Sequence, residues 1–112
     1  MNSPVDIAEY RTRVEYQARV ETGRDKLNQP VYSWLTLWSG LAAVRPMSQR
    51  EIFYAGGTTA QVTHRVFLRY RPGVTELGRL KLSETRYLYL SSVLDLEERR
   101  QVLDCQAVEK TS

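Results

Sequence analysis

Cysteine is almost missing from this 112-residue chain: Cys105 stands alone, so no internal disulfide framework can staple the fold. Histidine is as scarce. His64 is the sole imidazole, and a zinc site within one chain wants three or four Cys or His ligands. No glycine-rich phosphate loop follows a strand; Gly56-Gly57-Thr58-Thr59 lacks the Lys-Ser/Thr that a P-loop needs. Carboxylates are scattered rather than paired. No apolar run approaches a membrane span. The opening decapeptide, MNSPVDIAEY, has neither a basic n-region nor an apolar h-region, which reads against a signal peptide and for a protein kept in the cytoplasm where it is made. The inventory points away from enzymes, metals, cofactors and membranes.

What is present is ordinary for one globular domain, taken as residues 1–112: 42% hydrophobic and 26% charged residues. Sixteen basic and 13 acidic side chains give a formal charge of +3. That permits contact with nucleic acid without requiring it, because the cations are spread along the chain.

Two segments alternate cleanly between apolar and polar residues, the period of a half-buried strand. In residues 10–21, Tyr10, Thr12, Val14, Tyr16, Ala18 and Val20 face one way, against Arg11, Arg13, Glu15, Gln17, Arg19 and Glu21. In residues 62–71, Val62, His64, Val66, Leu68 and Tyr70 oppose Thr63, Arg65, Phe67, Arg69 and Arg71. Between them, polar residues 22–30 read as a loop. Aromatic and aliphatic residues 31–45 read as a strand with a bulge at Ser39-Gly40, stopped by Pro46. Ser48 with Glu51 three residues on makes a capping-box pattern. Ile52, Phe53 and Tyr54 supply a short helix with apolar material, and Gly56-Gly57 suits its C-terminal cap. Further strands are expected at 78–82, at 86–94 (Leu88, Leu90 and Leu94 on one face, Tyr87, Tyr89 and Val93 on the other) and at 100–108, with Leu103, Cys105 and Ala107 inward. The charged connection at 95–99 can form one helical turn. The expected fold is mainly β: a small antiparallel barrel of about six strands, with a long helix-containing loop at 46–60 between strands two and three.

The run LAAVRPMSQREIFYAGGTTAQVTHRVFLRY, residues 41–70, carries a resemblance. Ala43-Val44-Arg45-Pro46-Met47-Ser48 with Glu51, then Thr63-His64-Arg65-Val66 through Arg69-Tyr70, resemble the head-closure (stopper, head-tail joining) proteins of tailed bacteriophages. Arg86-Tyr87, Val93 and Leu103 with Cys105 follow that family's closing hairpin. One departure sits in the second strand. Many relatives place a Trp directly before the small residue that leads into the Pro; here Leu41 holds that place and Trp38 lies upstream.

The resemblance implies a structural protein of the virion, made in the host cytoplasm. It implies a ring of subunits below the portal and its adaptor, meeting a tail-completion protein and touching packaged DNA transiently. The free chain is expected to be a monomer. The loop would close the channel, with Ser48, Glu51, Ile52, Phe53, Tyr54, Gly56 and Gly57 as its gating residues. Arg65, Arg69 and Arg71 would meet a neighbouring subunit or partner, a solvated strand face or a DNA-lining surface being the other readings. His64 and Cys105 read as structural residues, and Trp34, Trp38, Tyr87 and Tyr89 as core or interface rather than a base-stacking platform. A nucleic-acid-binding module on an OB-like or SH3-like barrel is the alternative.

Overall fold

The computed structural model describes residues 5–47 and 62–110. Six strands follow one short 310 turn at Ile7–Glu9: β1 Thr12–Arg24, β2 Pro30–Pro46, β3 His64–Arg69, β4 Arg79–Ser83, β5 Arg86–Asp95 and β6 Val102–Lys110. A second 310 turn, Leu96–Glu98, joins β5 to β6, the helical turn expected from the charged run. All pairings are antiparallel, and the order β1-β2-β3-β6-β5-β4 closes on itself as a barrel. The mainly β expectation holds. The helix expected from Ser48 to Gly57, and with it the gating residues, lies outside the described residues.

The inward faces of the strands meet in one core. Val14, Tyr16, Val66, Leu80, Leu88 and Cys105 are fully enclosed there, with Leu68, Leu90 and Leu103 close behind. A smaller cluster lies outside the barrel wall, where Val5 covers Phe67 and Ala43. Phe67 sits on the arginine face of β3, yet it is 1% exposed. The amino-terminal segment roofs that face: Asp6 accepts a hydrogen bond from the Ala8 amide at 3.2 Å, and Glu9 grips Arg45.

Three details differ from the sequence reading. Tyr10 is not on the inward face of β1; it ends the 310 turn and packs beside the outer cluster. The bulge in β2 falls at Leu37, not at Ser39-Gly40: Tyr16 opposes Trp38 and Gln17 opposes Thr36, which leaves Leu37 without a partner across the ladder. A second bulge at Ser91 reverses the alternation of β5. Val93 therefore packs on the core, while Leu94 is 57% exposed. An extra residue flips every side chain beyond it to the opposite face.

The first two strands are far longer than the barrel needs. β1 pairs with β4 only through Glu15, Tyr16 and Gln17, and β2 pairs with β3 only from Ala42 to Pro46. Beyond those positions, among the described residues, the two strands pair with each other alone and run out as an arm, in keeping with principal extents of 53 × 30 × 27 Å. The region read as a loop at 22–30 is the tip of this arm. The Asp25 carboxylate accepts the Leu27 and Gln29 amides, each at 2.9 Å, and Asn28 takes a left-handed φ of 62°, a conformation Asn tolerates better than most residues.

The barrel closes around Tyr16. Its ring lies against Gly78, and its hydroxyl accepts the Thr75 amide at 3.1 Å. A Cβ at position 78 would lie well inside van der Waals contact with the enclosed Tyr16 ring. Gly78→Ala should therefore destabilise the fold by about 1–3 kcal/mol, as overpacking does. Gly40→Ala, whose added carbon meets nothing closer than 3.8 Å, should change stability by about 0.5 kcal/mol or less. Urea denaturation of both variants checks the contrast.

Candidate functional site

Among the described residues no three His, Cys, Asp or Glu side chains gather to hold a metal. Burial in the apolar core pushes the Cys105 thiol up to about 12, so at neutral pH it carries no thiolate to act as nucleophile. His64, at the start of β3, belongs to a polar circuit in which hydrogen bonds are joined by one longer contact. The Glu109 amide donates to Thr63 Oγ1 at 2.8 Å, Thr63 Oγ1 lies 2.8 Å from His64 Nδ1, and His64 Nε2 lies 3.6 Å from Glu109 Oε1. Arg86 donates to the same carboxylate oxygen at 2.6 Å. Burial lowers the His64 pKa; the nearby Glu109 charge pulls the other way but is outweighed. The circuit stands at the foot of the excursion between β2 and β3, whose two ends are tied by the Met47 amide donating to the Thr63 carbonyl at 2.8 Å.

Two clusters of guanidinium and aromatic groups occupy the outside of the barrel. The first is the face of β3. Arg65 forms a two-pronged bond to Asp104 on β6, at 3.0 and 2.6 Å, and Arg45 forms another to Glu9, at 3.0 and 2.9 Å. Both guanidinium carbons stand over Phe67, at 4.8 and 5.0 Å from its ring centre, so each cation has a carboxylate in its plane and a π-face beneath it. Arg69 lies 5.4 Å over Tyr10. Arg69 and Tyr10, with Val5, Ile7, Gln101 and Val102, line a groove of about 410 Å³. Arg71 follows the end of β3 and lies 4.5 Å over Trp38. The predicted arginines are thus split. Arg65 and Arg69 share a face with Phe67 between them, while Arg71 covers the aromatic pair Trp38 and Tyr16, stacked at 5.6 Å.

The second cluster escaped the sequence reading. Arg79 on β4 is 9% exposed. Its guanidinium stands 4.2 Å from Trp34, 4.1 Å from Tyr87 and 5.5 Å from Tyr89. It donates to Gln17 Oε1 and to the Tyr89 hydroxyl, each at 2.7 Å. Gln17 in turn donates to Thr36 at 3.1 Å. The pairings Gln17–Thr36, Gln17–Arg79 and Arg79–Tyr89 set these side chains in one row across β2, β1, β4 and β5. No local pattern announces such a row, because each member comes from a different part of the chain. The aromatic residues are divided by it: Trp38 packs on the core, while Trp34, Tyr87 and Tyr89 surround Arg79 outside. A base-stacking platform needs open ring faces beside cations. Here an internal cation already lies over them, and the row instead fixes the root of the arm to the barrel.

The sequence pattern of the phage head completion proteins matches residues 5–110. Over 78 residues, 70% of this chain and 69% of the other, the sequence is 36% identical to head completion protein gp7 of Enterobacteria phage HK97. The solution structure of protein SF1141 from Shigella flexneri 2a superposes with a TM-score of 0.74 at 26% identity, over 94% of this chain and 96% of that one. A chain from the virion of a native gene transfer agent particle superposes with a TM-score of 0.61 at 18% identity, over 89% and 94% of the two chains; that likeness shows the fold.

The His64 circuit makes stability depend on pH. Because the folded pKa lies below the ordinary 6.5, the unfolded chain takes up a proton before the folded chain does. The contribution is complete above about 6.5 and is lost as pH falls through the depressed folded value. Glu109, lowered chiefly by its bond to Arg86, adds a loss of the same sign below the ordinary carboxylate range. Denaturation midpoints measured from pH 7.5 down to 5 should fall for the wild type and fall less for His64→Gln.

Proposed function

This chain belongs to the phage head completion protein family, and from that premise we propose that it is a structural protein of the virion that completes the DNA-filled head and joins it to the tail. Family membership over nearly the whole described chain carries the reading. On it, the protein binds and holds rather than reacts. It resides at the head–tail interface of the particle and passes through the host cytoplasm during assembly.

The finer reading follows the same line. Subunits form a ring below the portal and adaptor, meet a tail-completion protein on the other side and contact packaged DNA in passing; the free chain is a monomer. The excursion between β2 and β3 closes the channel, with Ser48, Glu51, Ile52, Phe53, Tyr54, Gly56 and Gly57 as its working residues. Its supports are the tied base at Met47 and Thr63 and the neighbouring His64–Glu109–Arg86 circuit. A gate needs a fixed mount, and both strands that carry it are built into the barrel wall. Arg65 and Arg69 form a partner-facing cationic face in this reading, and Arg71, over Trp38, a separate partner contact. The three differ in what they also hold inside the chain: Arg65 neutralises Asp104, which is 12% exposed, whereas Arg69 rests on Tyr10.

Arg69 is therefore the cleaner probe. Arg69→Glu should leave the fold intact within about 1 kcal/mol, the scale of an exposed cation–π contact, while lowering the yield of joined particles. Arg65→Glu would set a second carboxylate against Asp104 and confound folding with assembly. Replacing residues 48–59 by a short Gly linker should leave docking on heads intact and abolish DNA retention. Complementation of a phage lacking the protein reads both effects. Deletion particles that keep their DNA as well as wild type would remove the gate, and a purified chain that binds DNA tightly with a steep salt dependence and ignores head complexes would favour the nucleic-acid module instead.

A further inference from the structure

The arm has two open edges. Among the described residues, β1 past Gln17 and β2 before Ala42 have no strand beside them except each other. An isolated two-stranded hairpin is marginal in water, and an open edge is a template for another strand. Proteins guard such edges with Lys, Pro, inward charges or short length. Along its free part β2 carries only Pro30 at the tip and the bulge at Leu37 as guards, and no Lys or inward charge. Between Lys26 and Arg45 no residue is charged, and Tyr32, Leu35, Leu37 and Leu41 are 48%, 50%, 53% and 54% exposed. The two edges differ in character: β1 brings Arg19 and Glu21 to its side of the arm, and the free part of β2 carries no charge.

We propose that the arm is the ring-forming element, and that the open edge of β2 in one copy pairs with the open edge of β1 in the next. The occupant is a second copy of this chain for a topological reason. β1 runs out along the arm and β2 runs back, so the arm's two edges have opposite direction. Copies related by rotation about a common axis, all arms pointing the same way, bring β2 of one beside β1 of its neighbour in antiparallel sense, the more stable ladder. Each arm then donates one edge and accepts at the other. This is a heterologous contact, which generates a ring when the rotation closes. In a closed ring of such copies no arm keeps an open edge, whereas a foreign strand on β2 alone would leave β1 uncovered. The charges agree: Arg19 and Glu21 of one copy meet an uncharged strand, so no like charges oppose one another. The root of the arm is held rigid for this purpose by the Trp34–Arg79–Tyr89 row. The inference rests on the ring reading above and assigns the ring contact to a surface distinct from the β3 arginines.

The test places p-benzoylphenylalanine, a photocross-linker, at position 35 of the full chain, in particles assembled by complementation. The expected product is a ladder of multiples of this chain, with the cross-linked site mapping to residues 18–24 of the neighbour. Leu35→Lys combined with Leu37→Lys should keep the circular dichroism spectrum and melting temperature of the wild type while reducing joined particles at least tenfold. Cross-links to a different protein, cross-links into the barrel, or no cross-link in a chain that is present in particles would overturn the proposal. Should the chain be missing from particles, the head-completion reading fails first. The same photocross-linking on the purified chain at millimolar concentration then decides the arm: a ladder through residues 18–24 supports it, and a monomer band alone overturns it.

Discussion

Closure of the barrel rests on a seam three residues long, where Glu15, Tyr16 and Gln17 of β1 meet Lys81, Leu80 and Arg79 of β4. A six-stranded sheet without that seam would expose two more edges and open its core to water. The seam is strengthened on both sides. Inside, the Tyr16 ring fills the space that Gly78 leaves free and bonds the Thr75 amide. Outside, Gln17 and Tyr89 bond Arg79, and three aromatic rings surround its charge. Desolvating a guanidinium is costly unless its donors and its π-faces are matched; here both are.

The arm and the excursion both spring from that closed unit. The seam ends where β1 leaves the barrel, so the position of closure also decides where the arm begins. At the far end, β2 and β3 meet through Met47 and Thr63 and present the excursion from a tied base. One closed barrel thus carries a long open-edged arm made of β1 and β2 and an excursion between β2 and β3. The division suits an assembly protein. On the proposed reading the barrel supplies stability and the appendages supply the contacts to other subunits.

Much of the barrel was legible in the sequence because its inward faces alternate without interruption: Val14 and Tyr16, Val66 and Leu68, Leu103 and Cys105. The errors lie where one residue breaks the period. Leu37 and Ser91 are bulges with no local mark, since Ser and Leu are common in regular strands, and Ser91 alone turned Leu94 outward and Val93 inward. Tyr10 continued the alternation of β1 on paper, but the Asp6 cap and the Glu9–Arg45 bond bend the chain first. The arm was hidden for a different reason. Val20 keeps the barrel's alternation past Ala18, which still packs on the core, and only the lengths of the β4 and β3 pairings reveal where the arm begins. Arg79 could not be singled out from sequence, because Gln17, Thr36 and Tyr89 meet it through non-local pairing. The arginines of β3 were legible as a face but not as a network, since Asp104 and Glu9 come from distant segments.

On the proposed reading the chain is a ring-building part of the head–tail junction, with the arm as its lateral contact. A symmetry-resolved electron cryomicroscopy reconstruction of that junction tests this most directly. The predicted density is a closed ring of six-stranded barrels whose arms form one continuous antiparallel sheet from copy to copy. A junction in which this chain is present with its arms separated from one another, or from which it is absent, would contradict the account.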